Sequence, residues 1–132
     1  MYIGRAFTES ENLIRNKIRR ILDIDGVQAC FIFGSFCTDK FREDSDIDIA
    51  ILTNLKITEI YSLTNTLEER IRKKIDLIDV RSLPKIFQLQ ITHRSDILFC
   101  NNDIVLDNFY DEVQLWYKTE FRLWKAWQEA EW

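Results

Sequence analysis

Asp46 and Asp48 flank a single isoleucine in Asp46-Ile47-Asp48-Ile49-Ala50-Ile51-Leu52, a segment whose start alternates like a β-strand. Side chains at i and i+2 of a strand share a face, rooted roughly 6.5–7 Å apart, while Ile47, Ile49 and Ile51 anchor the opposite face. Carboxylates held that close repel each other, and a divalent cation relieves the repulsion. Magnesium favours carboxylate oxygens shared with phosphate oxygens and water, so the pair reads as a platform for metal-assisted phosphoryl chemistry. Two solvated acids on an edge strand would show the same pattern. Ten residues separate Asp46 from Gly34-Ser35, which closes the apolar run Val27 to Phe33. A Gly there lets the backbone approach an anion, and a hydroxyl with free N–H groups at a helix start can bind phosphate oxygens, although Gly-Ser is also an ordinary turn dipeptide.

A third carboxylate is available at Asp76 or Asp79. Because Ile75 and Leu77 alternate with Asp76, that residue is expected on the face of Asp46 and Asp48, and Asp79 reads as a solvated strand end. Three such acids could hold two metal ions, with the third able to take a proton. Lys40 and Arg42 are the basic residues nearest after Gly34-Ser35, as phosphate contacts or as part of a solvated loop. Arg70, Arg72, Lys73 and Lys74 flank the third acidic strand and read as a solvated charge run rather than a contact for phosphate or RNA. Cys37 lies near the Gly-Ser turn without a neighbouring His or an activating charge pair, so it is not a candidate nucleophile. His93, the only histidine, falls in the polar turn His93-Arg94-Ser95-Asp96 and cannot supply a His cluster.

Positioning these groups requires strands at Val27 to Phe33, Asp46 to Leu52, Ile75 to Val80 and, shorter, Asp96 to Cys100. Between them helices are expected. Thr8 and Glu11 have capping-box spacing before Leu13, Ile14, Ile18, Ile21 and Leu22, with Arg15, Lys17, Arg19 and Arg20 on a basic outer face. Thr58 is expected to cap a helix through about Lys73, and Pro84 suits the first turn of a helix through about Ile91. From about Asp103 to the end a long helix carries Phe109, Tyr110, Trp116, Tyr117, Phe121, Trp124, Trp127 and Trp132. That aromatic content suits core packing and a docking surface equally.

The chain's 132 residues fit one domain, residues 1–132, with a single core. A hydrophobic content of 46% with three Gly and one Pro excludes disordered and collagenous classes. A formal charge of −4 disfavours non-specific nucleic-acid binding. Three cysteines without metal-site or disulfide spacing fit a reducing cytoplasm. No apolar run is long enough to span a membrane, and Met1 to Glu11 lacks an apolar signal region.

Gly34-Ser35, ten residues, then Asp46-Ile47-Asp48, with Asp76-Leu77-Ile78 downstream, resembles the signature of the minimal nucleotidyltransferases in the DNA polymerase β-like superfamily, among them the MntA-type antitoxins of HEPN toxin–antitoxin modules. The resemblance implies an α/β (α+β) fold: a small mixed sheet of about four strands, flanked by helices, with a long closing helix. It implies two Mg2+ ions, ATP as substrate, and AMP transfer to a tyrosine hydroxyl of a HEPN ribonuclease toxin. Carried over residue by residue, it gives Gly34 and Ser35 triphosphate binding, Asp46 and Asp48 metal ligation, and Asp76 ligation or base catalysis. The acceptor would lie on another protein, docked in part by the aromatic last helix. The chain departs from the family in Phe36-Cys37-Thr38-Asp39, where relatives often carry a small residue and then a basic one, which leaves Lys40 and Arg42 as substitutes. Two other readings stand: transfer to a small hydroxylated molecule of antibiotic type, and an antitoxin that neutralises its toxin by contact alone.

Overall fold

The computed structural model describes residues 6–38 and 40–130; Asp39 and Trp132, both used above, lie outside them. Four strands, β1 (Val27–Phe33), β2 (Ile47–Thr53), β3 (Ile75–Asp79) and β4 (Asp96–Cys100), form one sheet in the order β3-β2-β1-β4. β1 runs antiparallel to both β2 and β4, whereas β3 lies parallel to β2, so the sheet is mixed. A parallel neighbour needs a long crossover, and α2 (Ile57–Ile71) supplies it.

Alternation along the strands splits the core into two layers. Cys30, Ile32, Ile47, Ile49, Ile51, Ile75 and Leu77 face α1 (Glu9–Leu22) and α2, where Ile18, Leu22, Ile60 and Leu67 meet them. Ala29, Phe31, Ala50 and Leu52 face the other way, onto Ile91 of α3 (Lys85–Arg94) and Leu106, Phe109 and Val113 of α4 (Asp103–Trp116). With both faces of its central strands covered, the sheet reads as nearly continuous apolar sequence.

The first helix begins as expected: Thr8 Oγ1 accepts from the Glu11 N–H at 3.2 Å, and Glu11 returns the bond to the Thr8 N–H at 2.9 Å. Its basic face is solvated except at Arg15, which turns inward to pair with Asp96 of β4 and lies 4.6 Å over the Phe7 ring. Several boundaries differ from the sequence reading. The crossover helix is capped at Lys56 rather than Thr58, because the Glu59 carboxylate accepts from the Lys56 N–H at 3.2 Å. It stops at Ile71, two residues early, where Arg72 takes a left-handed conformation (φ 63°) with its N–H on Glu68 O. β3 ends at Asp79, whose carboxylate accepts from the Arg81 N–H at 3.0 Å and turns the chain out of the strand. α3 runs on to Arg94, which places His93 and Arg94 in its last turn, where cations favour the helix dipole.

The closing helix is continuous but not uniform. After α4 a π-helical turn spans Tyr117–Phe121 before α5 (Arg122–Glu129). Within the turn the Thr119 hydroxyl donates to Leu115 O at 2.6 Å, the kind of side-chain competition that loosens a helical ladder. The aromatic residues divide along the helix rather than around it. Phe109 is fully buried, whereas Leu123, Trp124 and Trp127 are exposed. None of the helices among the described residues is long and apolar enough to cross a membrane.

Candidate active site

The site is assembled at one end of the sheet, where β1 ends and β2 and β3 begin. Strand register sets Phe33 opposite Asp48 and Asp48 beside Asp76. Ile47 and Ile49 are buried in the α1/α2 layer, so Asp48 projects onto the other face, as does Asp76 between buried Ile75 and Leu77. The side chains of Asp48 and Asp76 come within hydrogen-bonding range. Asp46 precedes β2 and follows a tight turn in which the Ser45 hydroxyl accepts from the Arg42 N–H at 3.0 Å.

Gly34 begins a 3-10 turn (Gly34–Cys37) directly after β1, with φ +72°. A Cβ built there would stand 2.2 Å from Asp48 Oδ2, so any larger residue would push this carboxylate aside. Ser35 follows, half-buried; among the described residues its hydroxyl has no hydrogen-bond partner, while its carbonyl accepts from the Thr38 N–H and hydroxyl. Cys37 is structural: buried, its thiol donates to Ile32 O at 2.9 Å.

Electrostatics mark the cluster. Asp48 has its pKa pushed up to about 6, first by burial, then by hydrogen bonding to Asp76 and by the charges of Asp76 and Asp46. Such crowding with hard oxygen donors suits a divalent oxygen-seeking cation, and Mg2+ fits the donor set. Among the described residues no three potential ligands are already closed around a metal position. Asp48 and Asp76 are gathered, while Asp46 stands aside with its carboxylate 4.0 Å from Lys74 Nζ.

Lys74 was hidden in a charge run, although its place two residues before Asp76 on an alternating segment was a usable signal. Lys40 and Arg42 sit exposed in the loop before β2; the Lys40 N–H donates to Thr38 Oγ1, and the Arg42 guanidinium donates to Phe41 O. Lys73, by contrast, braces that loop, donating to Glu43 O and lying 5.1 Å from the Phe41 ring centre. Asp79 stays apart from the acids, on the residue set of Ile75 and Leu77, and caps its own turn.

A strand, a Gly-Ser turn and paired carboxylates on the next strands, open at one sheet end, define a site of the nucleotidyltransferase class. Residues 16–104 match the family model described as polymerase beta, nucleotidyltransferase, and the chain belongs to that family. It is 31% identical over 90 residues to a candidate protein adenylyltransferase of Methanocaldococcus jannaschii, covering 66% of this chain and 97% of that protein. It is also 31% identical over 85 residues to the protein adenylyltransferase MntA of Shewanella oneidensis; the match spans 61% of that relative's length and 61% of this chain. Among solved structures, the tri-AMPylated Shewanella oneidensis HEPN toxin in complex with MNT antitoxin matches with a TM-score of 0.71 at 25% identity, over 88% of this chain and 93% of that one. The mixed four-stranded sheet with its long C-terminal helix is thus the nucleotidyltransferase fold expected from the sequence.

Proposed function

We propose that this chain is a Mg2+-dependent protein adenylyltransferase that moves AMP from ATP to a tyrosine hydroxyl of a partner HEPN-domain toxin, acting as its antitoxin. The observation that carries the reading is the convergence of Asp48 and Asp76 beside a glycine whose Cβ would displace the Asp48 carboxylate, in a relative of protein adenylyltransferases. In this reading residues 1–132 act as one domain in the cytoplasm, which suits three free cysteines.

Mg2+, when bound, neutralises the triphosphate and makes the acceptor hydroxyl more acidic. Asp46 and Asp48 would hold it, and Asp76 would either complete the ligand set or take the acceptor's proton. The acceptor oxygen attacks the α-phosphorus; a new P–O bond forms as the bond to the β-phosphate bridging oxygen breaks, and pyrophosphate leaves. The hydroxyl proton passes to the carboxylate cluster. Gly34 gives the triphosphate close access to backbone, Ser35 offers an uncommitted hydroxyl, and Lys74 adds positive charge at the edge of the acids. Lys40 and Arg42 are retained as contacts for the outer phosphates. The protein's contribution is positioning and charge, because phosphoryl transfer asks little covalent work of it.

The test is the intact mass of the partner toxin after incubation with this chain, ATP and Mg2+. Increments of AMP that vanish with Asp46→Ala/Asp48→Ala are expected. A stable complex without increments would overturn the enzymatic reading and leave an antitoxin that acts by contact.

A further inference from the structure

The loop from the Gly-Ser turn to Asp46 carries Lys40 and Arg42, and among its described residues it forms no helix or strand. Side chains set its course instead. At its far end the Arg42 N–H donates to Ser45 Oγ and the Ser45 N–H to Arg42 O, both at 3.0 Å. At its near end Phe36, directly after Ser35 in the turn, is fully buried and stacked on Phe7 with ring centres 5.3 Å apart. Midway, half-buried Phe41 meets Phe36 edge to face, at 4.8 Å and an interplanar angle of 78°.

Lys73, from the segment entering β3, completes the arrangement. Its ammonium lies 5.1 Å from the centre of the Phe41 ring and also donates to Glu43 O, two residues further along the loop. Lysine ammonium groups ordinarily stay in water, whereas this side chain is half-buried and holds two partners at once. A cation over a ring tolerates a range of directions, but a charge-assisted hydrogen bond to a carbonyl does not, so together they fix both the distance and the orientation of the loop. The next residue ties the same strand entry to the far end of the loop: Lys74 O accepts from the Ile47 N–H at 3.0 Å, and Lys74 Nζ stands 4.0 Å from Asp46. The clasp therefore links β3, which carries Asp76, to the stretch of chain between Ser35 and Asp46.

We propose that Phe41 and Lys73 are positioning residues for nucleotidyl transfer: ring and ammonium clasp the loop so that Ser35, Lys40 and Arg42 are presented together to the triphosphate. Neither needs to touch the nucleotide. The assignment rests on the nucleotidyltransferase reading above, to which it adds how a loop without regular structure keeps its phosphate-binding groups in place.

The experiment measures AMP transfer to the partner toxin as a function of ATP concentration, with Mg2+, for the full chain and for Lys73→Met and Phe41→Leu. Lys73→Arg and Phe41→Tyr are the conservative controls. Tryptic cleavage after Lys40 and Arg42, without ligands, reports on the loop independently of activity. Lys73→Met and Phe41→Leu should each raise the KM for ATP about tenfold, leave the KM for the toxin unchanged and speed cleavage, while both conservative variants stay near wild type. Faster cleavage with a wild-type KM for ATP would reduce the clasp to a structural brace and overturn the proposal, with the enzymatic reading intact. Cleavage at the wild-type rate in both variants would remove the clasp itself. A raised KM in Lys73→Met alone would also overturn the proposal, because the ammonium would then be a direct phosphate contact. Failure of wild type to transfer AMP would overturn the enzymatic reading and this assignment with it.

Discussion

Replacing Gly34 with alanine separates the stability of this fold from its chemistry. The new Cβ would lie 2.2 Å from Asp48 Oδ2, against 3.4–4 Å for ordinary contact, so the carboxylate must move by about 1 Å. The obstructing atom is the far end of a rotatable side chain, so most of the stability cost is the positive φ, about 1–2 kcal/mol for an L-residue. A fall in Tm of roughly 5 °C follows for a domain of this size. Activity suffers far more, because a misplacement of about 1 Å at a reacting centre costs on the order of 100-fold. The assay pairs thermal denaturation, with and without Mg2+ and ATP, with AMP transfer measured by intact mass. The variant should fold, melt slightly lower, lose nearly all transfer and show little stabilisation by Mg2+ and ATP. Full transfer, or undiminished stabilisation by ligand, would refute the argument that this glycine exists for Asp48.

Because Asp48 titrates near pH 6 in the folded chain and near 3.8 unfolded, the fold binds more protons across that interval, and metal-free stability should fall as pH rises through it. Melting curves in chelator between those values check the sign. Asp48→Asn should flatten this dependence, leave the metal-free fold at least as stable at pH 7, and abolish transfer; a variant with wild-type transfer would dismiss the metal role. Phe109→Ala, in the α4 core, should cost about 3–5 kcal/mol in denaturant unfolding. Trp127→Ala on exposed α5 should change stability by less than about 0.5 kcal/mol yet weaken toxin binding in titration calorimetry, and unchanged affinity would remove α5 from the interface.

What the sequence disclosed followed from period. Val27–Phe33 and Asp96–Cys100 are bounded by turn residues and came out with their observed limits, and the alternation of Ile75 and Leu77 was enough to choose Asp76 over Asp79. Ends set by single hydrogen bonds were not visible: Glu59 capping at Lys56, and Asp79 halting its own strand, depend on side-chain geometry that residue type leaves open. Arg15 reads as one more cation on a basic face until β4 brings Asp96 to it. The approach of Lys74 to Asp46 reads only as part of a charge run, since the contact is made by strand register. The π turn has no signature in Tyr117–Phe121 beyond a threonine, and it is packing of rings, Tyr117 on Phe121 at 5.3 Å and Phe121 on Trp124 at 5.9 Å, that accompanies it.

The sheet order also sets a sequence of events during synthesis. The Gly34 turn and the carboxylates Asp46, Asp48 and Asp76 all precede β4 in the chain and are synthesised before it. A chain arrested after Asp79 would possess its carboxylates but leave one side of β1 as an open edge, with Ala29, Phe31, Ala50 and Leu52 facing water. In a growing chain the carboxylates are therefore made before the elements that cover the edge of β1 and the second sheet face, and residues 80–132 end that exposed interval.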